Sequence, residues 1–229
     1  MTCLICGRSQ HQSISLNDLL FGKKLKTKVC CQTCKGKFVT IDIESSKRCK
    51  YCLKHSERDV CHDCLYWQSN NMLVETHQAL FEYNESMSEY MSDYKFKGRK
   101  ELAKVFSEEL HSEIKKISHD RLIPMPLSKK RLKDRGFHQI ELLLNEAGIS
   151  YDSLLKKKQH TRKQSSKSKR ERLKATHHFY VPTKDAKKIK GQVILLVDDV
   201  YTTGSTMLHA KRYLLALGAK KVITFTLSR

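Results

Sequence analysis

Four pairs of cysteines, each with the spacing C-x-x-C, constrain this sequence more than any other feature. A two-residue spacer lets a tight turn direct both sulfurs at one ion, and two such turns complete a tetrahedral thiolate cage. Closed cages of this kind hold structure and leave no open position for a reacting water. The sequence therefore predicts two structural Zn²⁺ sites, built from Cys3, Cys6, Cys31, Cys34, Cys49, Cys52, Cys61 and Cys64.

The pairing of these cysteines is open at the level of sequence. Chain order favours the first two pairs for one ion and the last two for the other, but an interleaved ribbon is an alternative. Cys30 is the ninth cysteine, and using it in place of Cys31 would lengthen the spacer to three residues. His11, His55 and His62 are alternative ligands that we expect on the surface instead. Redox dithiols or uncoordinated thiols are further alternatives, which four consecutive pairs disfavour.

The surplus of positive charge is the second constraint. The 44 Lys and Arg exceed the 24 Asp and Glu by 20 in a chain of 229 residues, which favours a polyanion as a partner. No run approaches about 18 consecutive apolar residues, so we expect no membrane span. The first residues lack the order of a secretory signal, so we expect a cytoplasmic protein. Thiols stay reduced in the cytosol, so its nine cysteines favour metal binding over disulfides.

Beyond the last cysteine, apolar periodicity predicts strands alternating with helices. We expect two domains, a cysteine-rich double zinc ribbon over residues 1–70 and an α/β domain over 71–229. The predicted strands are 79–81, 121–127, 193–197 and 221–226. The predicted helices are two between 85 and 117 with a break at Gly98, one opened by Gly136, and one after Thr206. A stripe with helical spacing is predicted to lie in the core, and it comprises Met87, Tyr90, Met91 and Tyr94.

Two segments concentrate the positive charge. Between residues 156 and 174, which we call the basic segment, ten basic residues stand against one acidic residue. Because apolar residues are nearly absent there, we expect a mobile loop over about 156–175 that acts as a lid or binding loop, with an idle insertion as the alternative. Its basic residues are Lys156, Lys157, Lys158, Arg162, Lys163, Lys167, Lys169, Arg170, Arg172 and Lys174. A second cluster, predicted to be a solvated loop, comprises Lys129, Lys130, Arg131, Lys133 and Arg135.

The segment 193–206, VILLVDDVYTTGST, has the clearest chemical meaning. Its leading apolar residues predict a strand buried on both faces, and open parallel sheets bind ligands at the carboxyl ends of their strands. The following turn offers N–H groups, hydroxyls and a helix N-terminus, which make an anion site, and Gly204 lets the backbone approach a phosphate. Asp198 and Asp199 suit sugar hydroxyls, so the segment predicts a ribose 5-phosphate site. The chain lacks a Walker pattern, which disfavours a nucleoside triphosphatase.

This segment closely resembles the signature that binds phosphoribosyl pyrophosphate in type I phosphoribosyltransferases. The wider chain resembles the ComF family of late competence proteins, of the ComFC type, over most of its length. Besides the cysteine pairs, the residues that support this resemblance are 94–98, 124–127, Arg131, 135–137, Thr161, Gln164 and Arg172. The chain departs from the family pattern at His138, near Lys167 and near Ala175, where Asn, Leu and Asn are usual.

The resemblance implies an α/β fold of the type I phosphoribosyltransferase kind, with a parallel sheet under a small N-terminal zinc-binding hood. It implies that Asp198 and Asp199 meet the ribose hydroxyls. The residues that it places around the 5-phosphate are Thr202, Thr203, Gly204, Ser205 and Thr206. Those that it places toward the pyrophosphate are Leu127, Ser128, Arg131 and Arg135. Mg²⁺ would arrive chelated by the pyrophosphate.

ComF proteins act in natural transformation, where they help internalised single-stranded DNA through the cytosol. The resemblance therefore implies a late competence factor that binds single-stranded DNA through the basic segment and also binds phosphoribosyl pyrophosphate. A competence helicase or another DNA-uptake protein is the further partner that we expect. Bases would stack on Phe137, Tyr151, Phe179 or Tyr180. The alternative is an active phosphoribosyltransferase of nucleobase or nucleotide salvage, for which no segment identifies a base pocket.

Overall fold

A four-stranded parallel sheet forms the centre of the chain in its computed structural model, which describes residues 2–10, 29–42, 47–157 and 179–229. The strands of this sheet are β1 (Gln78–Phe81), β2 (Arg121–Pro124), β5 (Val193–Val200) and β6 (Lys221–Ser228), in the order β1–β6–β5–β2. A separate antiparallel pair consists of β3 (Lys156–Lys157) and β4 (Phe179–Tyr180). The predicted α/β class with a parallel sheet is confirmed.

Helices lie between and beside these strands. The α-helices of the described ranges are α1 (Gln32–Lys35), α2 (His62–Ser69), α3 (Glu85–Phe96), α4 (Ser107–Lys116), α5 (Lys129–Arg135), α6 (Gln139–Glu146) and α7 (Ser205–Ala216). Two 3₁₀ helices occupy Lys100–Phe106 and Thr183–Lys188. In these ranges, the helices are all too short or too polar to cross a membrane.

Strand β5 lies between β6 and β2 in the sheet. Its apolar side chains suit burial on both faces of the sheet. Leu196 lies opposite Ile123 of β2, and Ile194 lies opposite Val222 of β6. Strand β2 is at the edge of the sheet, where a residue without an N–H group, Pro124, is tolerated. The carboxyl end of β5 therefore opens beside the carboxyl ends of β2 and β6.

Alternation of side chains along β5 divides the core between the two faces of the sheet. On one face, Ile194 and Leu196 belong to a buried cluster that includes Trp67 of α2 and the last four cysteines. On the other face, Leu195 and Val197 belong to a cluster that includes the predicted stripe of α3, which is buried as expected.

The two groups of cysteines lie against opposite faces of this sheet. The last four cysteines are part of the first cluster. Leu4, Ile5 and Cys30, which are neighbours of the first four, pack instead against the second cluster. The last four cysteines are therefore part of the core on one side of the sheet, and the first four lie next to residues that contact the core on the other side.

Two sequence predictions about local structure were wrong. Residues 129–135 form helix α5 instead of a loop, and Gly136 ends this helix instead of opening the next. Gly136 has a φ of 77°, and its N–H donates to the carbonyl of Leu132 at 2.8 Å, which is the usual chemistry of a glycine after a helix C-terminus. Helix α6 begins after His138, whose ring accepts a hydrogen bond from the N–H of Glu141.

The prediction that a loop begins at residue 156 places its start too early. Lys156 and Lys157 form strand β3, where they pair with Tyr180 and Phe179. The other basic residues of the segment lie outside the described residues, and they are Lys158, Arg162, Lys163, Lys167, Lys169, Arg170, Arg172 and Lys174. The break at Gly98, by contrast, is confirmed, because Gly98 has a φ of 69° and separates α3 from the first 3₁₀ helix.

Candidate functional site

The acidic pair Asp198 and Asp199 lies at the carboxyl end of β5. Asp199 is buried, and its Oδ2 lies 2.7 Å from the Nζ of Lys95. Lys95 is in the last turn of α3, so the ion pair joins this helix to the strand. A buried carboxylate needs such a partner, because an uncompensated charge in the interior is strongly destabilising.

Asp198 is in a different environment from its neighbour. The N–H of Asp199 donates to the Oδ1 of Asp198 at 2.9 Å. Burial, followed by the charge of Asp199, raises the pKa of Asp198 to about 7, although Lys95 and Lys157 act in the opposite direction. Near neutral pH this carboxyl group can therefore either accept a hydrogen bond from a sugar hydroxyl or donate one.

Residues 201–206, which we call the phosphate loop, comprise the turn that follows β5 and the first two residues of α7. Gly204 has a φ of 79°, and helix α7 begins at the next residue. A Cβ atom at this position would lie 2.3 Å from the Oη of Tyr201. The contact with Tyr201 therefore requires a glycine here. This reason is separate from the close approach of a phosphate, which the sequence predicts.

The carbonyl groups of the phosphate loop are held from one side. The indole Nε1 of Trp67 donates to the carbonyl of Thr203 at 2.7 Å. The Nη1 of Arg229 donates to the carbonyl of Thr202 at 2.7 Å and to that of Tyr201 at 3.0 Å. Because a trans peptide places its N–H opposite its C=O, the N–H groups that follow these carbonyls face the other side of the loop. That side, next to the N-terminus of α7, is where an anion would bind.

The region predicted to face a pyrophosphate lies at the start of α5. Ser128 caps this helix, because its Oγ accepts a hydrogen bond from the N–H of Arg131 at 3.3 Å. The backbone nitrogen of Leu127 lies 3.3 Å from the Nε2 of His138. His138 thus contacts the end of the β2 turn while its ring caps the start of α6.

Arg135 of α5 is close enough to the acidic pair for both carboxyl groups to affect its pKa. Its Nη1 donates to the Oε1 of Gln139, and its Cζ lies 5.7 Å from the centre of the Phe96 ring. Burial lowers the pKa of Arg135, and the charge of Asp199 opposes that shift. A permanently charged guanidinium therefore stands beside the carboxylates, where it can meet an anionic ligand.

Lys157 is the residue of the basic segment that the described chain places near this site. Its Nζ lies 5.9 Å from the centre of the Phe179 ring. Burial lowers the pKa of Lys157, with the charge of Arg131 as the next cause. Lys156, its neighbour, is exposed.

Of the four aromatic side chains expected to stack bases, two are buried, Tyr151 is half-buried and one is exposed. Phe137 and Phe179 are buried, whereas Tyr180 is 40% exposed. Phe96, which the sequence did not single out for this purpose, is 79% exposed at the end of α3. An exposed ring beside Arg135 is thus a feature of the site that only the structure shows.

Two cysteine tetrads assemble as chain order favoured. The Sγ atoms within each tetrad lie within 4.8 Å of one another. The first tetrad is Cys3, Cys6, Cys31 and Cys34, and the second is Cys49, Cys52, Cys61 and Cys64. Sulfurs about 2.3 Å from a tetrahedral ion would be about 3.8 Å apart, and the Cys6–Cys31 and Cys52–Cys61 separations are 3.9 and 3.6 Å. Both tetrads could therefore hold structural metal ions.

The alternative ligands do not join either tetrad within the described ranges. Burial raises the pKa of Cys30 to about 12, which keeps it a neutral thiol. His55 lies 3.2 Å from a carboxylate oxygen of Glu82 instead of near a sulfur. His11 lies outside the described residues.

Sequence reasoning missed three residues that support the site. Lys95 was noted as part of a motif but without a role, and Trp67 and Arg229 were not connected to the phosphate loop. The sequence offered one indication that Trp67 lies close to the second tetrad, because it follows Cys64 by three positions and both residues belong to helix α2. It offered no such indication for Arg229.

Comparison with known proteins agrees with this geometry. Residues 132–229 match the family described as phosphoribosyl transferase domain. The chain is 37% identical to competence protein ComFC of Streptococcus pneumoniae over 100% of both chains. It is 34% identical to competence protein ComFC of Bacillus subtilis over 100% of this chain and 95% of that one. It is 30% identical to DNA utilization protein YhgH of Escherichia coli O6:H1 over 65% of this chain and 69% of the relative.

Proposed function

This chain belongs to the ComFC family of competence proteins, and from this membership we propose that it acts in DNA uptake by binding single-stranded DNA and phosphoribosyl pyrophosphate in the cytoplasm. The observation that supports the ligand most directly is the juxtaposition of the acidic pair with the phosphate loop at the end of β5. An anion site and hydroxyl-binding carboxylates at this spacing suit a sugar phosphate.

Each part of the ligand has a partner in this proposal. The N–H groups and hydroxyls of the phosphate loop bind the 5-phosphate, and Asp198 binds the ribose hydroxyls. Arg135, with Arg131 and the turn at Leu127 and Ser128, faces the pyrophosphate. Mg²⁺ is held mainly by the pyrophosphate oxygens, because this ion keeps few protein ligands in such sites. Zn²⁺ occupies both cysteine tetrads.

Single-stranded DNA binds through the basic segment in the same proposal. Lys157 belongs to this segment and lies close enough to Asp198 to lower the pKa of that carboxyl group. The segment therefore starts at the rim of the sugar-phosphate site, so one ligand can influence the binding of the other. A competence helicase or another DNA-uptake protein would receive or deliver the strand.

A titration with a single-stranded oligonucleotide at several salt concentrations tests the DNA part. We expect the triple variant K167Q/K169Q/R170Q to reduce the slope of log affinity against log salt by about 2, since each phosphate contact contributes about 0.7 on single strands. The matched control is K190Q/K220Q/K221Q, whose lysines lie near the amino ends of β5 and β6, away from the site. Equal slopes for the two variants would contradict DNA binding by the basic segment.

A second titration tests the sugar-phosphate part. We expect the double variant D198N/D199N to lose affinity for phosphoribosyl pyrophosphate with Mg²⁺ while it keeps most of its affinity for DNA. Calorimetry would measure both. Unchanged affinity for phosphoribosyl pyrophosphate, or an equal loss of DNA binding, would contradict two separate sites.

One observation favours testing an active phosphoribosyltransferase as the second candidate. Phe96 presents an exposed ring beside Arg135 at the rim of the site, and an exposed ring can stack a nucleobase. Release of pyrophosphate from phosphoribosyl pyrophosphate in the presence of free nucleobases would support this activity. Phe96→Ala should then raise the KM for the base, and the absence of pyrophosphate release with every base would exclude it.

A further inference from the structure

The second cysteine tetrad is connected directly to the phosphate loop by two side chains. Arg229 bridges them with its guanidinium group. Its Nε donates to the carbonyl of Cys52 at 2.7 Å, and its Nη2 lies 3.0 Å from the Sγ of the same residue. The remaining nitrogen, Nη1, donates to the carbonyls of Tyr201 and Thr202. One rigid, planar group thus contacts a cysteine of the tetrad and the loop at the same time.

Trp67 makes the second connection. Helix α2 begins at His62, between two cysteines of the second tetrad, and Trp67 lies one turn after Cys64. The indole is buried, its ring packs edge-on against His209 of α7, and its Nε1 donates to the carbonyl of Thr203. The cysteines fix α2, and α2 in turn fixes the last carbonyl before Gly204.

Tyr201 completes the packing between the tetrad and the loop. The Cζ of Arg229 lies 5.0 Å from the centre of the Tyr201 ring, and His77 packs on that ring with a centroid separation of 4.3 Å. The same ring occupies the space that a Cβ atom of Gly204 would need. The loop is therefore held by side chains from the tetrad side along its whole first half.

We propose that the second tetrad, with its metal ion bound, is the support that orients the phosphate loop, and that Trp67 and Arg229 are the positioning residues that connect the two. Three consecutive carbonyls accept hydrogen bonds from this side, so the following N–H groups point toward the anion. Occupancy of a metal site and affinity for a phosphate group are thereby coupled. The proposal rests on the proposed function, in that phosphoribosyl pyrophosphate is taken as the ligand.

The charges of the second tetrad and of Arg229 are consistent with the proposal. Four thiolates around one divalent ion carry a net charge of about −2, and a cationic donor to one of the sulfurs stabilises such a site. Arg229 supplies that donor while it orders the loop. Loss of the metal would leave the sulfur that faces the Nη2 of Arg229 without a fixed position, which would weaken the support of the loop by this side chain.

Variants of the two positioning residues test the coupling. We expect R229Q and W67F to weaken the binding of phosphoribosyl pyrophosphate by about tenfold to a hundredfold, the usual effect of losing hydrogen bonds made by a charged or buried donor. R229K should fall between R229Q and wild type, because lysine keeps the charge but not the planar fork. The control is R212Q, because Arg212 is exposed on α7. Calorimetry measures the affinities, and circular dichroism verifies folding.

A measurement without the sugar phosphate tests the coupling between the second tetrad and the phosphate loop independently of the proposed function. Trp67 is the single tryptophan of the chain, so its emission reports on the connection itself. We expect removal of zinc by a chelator to shift the emission to longer wavelength, and added Zn²⁺ to restore it. Hydrogen exchange at residues 202–206 should be faster in R229Q than in R212Q.

The outcomes are distinct. Wild-type affinity in both R229Q and W67F would overturn the coupling. If wild-type protein fails to bind phosphoribosyl pyrophosphate, the proposed function fails, and hydrogen exchange then decides the coupling alone. Equal exchange at residues 202–206 in R229Q and R212Q would overturn it, and faster exchange in R229Q would support it.

Discussion

Two adjacent aspartates of identical chemistry have different properties in this protein because their surroundings differ. Asp199 is neutralised by Lys95 at 2.7 Å. Asp198 is next to that charged carboxylate and has a raised pKa. Within one dipeptide, the structure thus supplies an ion-paired carboxylate and a carboxyl group whose pKa is raised to about 7.

The raised pKa of Asp198 predicts a pH-dependent effect of D198N on stability. The unfolded chain loses this proton near its usual pKa of 3.8, whereas the folded chain keeps it until about pH 7. The contribution of Asp198 to stability therefore falls as the pH rises from about 4 to about 7. Urea denaturation should show that D198N is more stable than wild type at pH 8 and that this advantage is clearly smaller at pH 5.

The control for this prediction is D185N. Asp185 is paired with Lys188, which lowers its pKa, so its removal should give no gain at pH 8. A gain from D198N of the same size at pH 5 and pH 8 would show that desolvated charge is not the cause.

Gly204 allows a prediction about backbone geometry. In G204A the new Cβ would have both a positive φ and a contact of 2.3 Å with Tyr201. Gly191 also has a positive φ, of 75°, but has nothing within 4 Å of the Cβ position. We expect G191A to cost about 1–2 kcal/mol from the left-handed conformation, and G204A to cost clearly more in urea denaturation. Equal costs would show that Tyr201 moves aside easily.

At the scale of elements, the ion pair between α3 and β5 sets the position of the site. Helix α3 ends close to the carboxyl end of β5, and Lys95 in its last turn reaches Asp199. Phe96, the next residue, is therefore placed at the rim beside Arg135 of α5. Three elements that are distant in sequence thus meet around one carboxylate.

The variant K95M should show how much this helix–strand contact matters. It leaves the carboxylate of Asp199 buried without its partner, which typically costs about 3–5 kcal/mol. We expect K95M/D199N to recover most of that loss in urea denaturation at pH 7.5, because both charges are gone. The control K97M removes an exposed pair with Asp93 and should cost less than about 1 kcal/mol. A small cost for K95M would mean that Arg135 alone compensates Asp199.

At the scale of the whole molecule, the surroundings of the two cysteine tetrads contact opposite faces of one sheet. The second tetrad belongs to the same buried cluster as Leu196 of β5. Neighbours of the first tetrad, such as Ile5, pack against the cluster on the other face. The metal sites are therefore expected to stabilise the α/β core as well as themselves.

Removal of metal should consequently destabilise the whole chain. We expect a strong chelator to lower the midpoint of thermal unfolding measured on the sheet signal by circular dichroism, since structural zinc contributes directly to folding free energy. Elemental analysis should find two zinc ions per chain before treatment. Added Zn²⁺ should restore the midpoint, and Mg²⁺ should not. An unchanged midpoint after complete metal removal would contradict this role.

Several features of the site were determined by sequence alone because their chemistry depends on near neighbours. The two-residue spacing within each cysteine pair and the order of residues in the phosphate loop are local properties. The apolar run of β5 and the stripe of α3 follow from the periods of strand and helix, so these too were predicted correctly. Helix α5 was predicted as a loop, and Gly136 was assigned to the start of the next helix, because a glycine can either precede or terminate a helix and only the neighbouring backbone decides.

Other features were decided by the tertiary structure because they join residues that are far apart in the chain. Trp67 and Thr203 are separated by 136 positions, and Cys52 and Arg229 by 177. No periodicity or spacing can reveal such pairs, since they exist only after the parallel sheet brings the carboxyl ends of its strands together. The sequence by itself determined which groups could bind a metal ion and a phosphate. Folding determined that Trp67 and Arg229 connect the second tetrad to the phosphate loop.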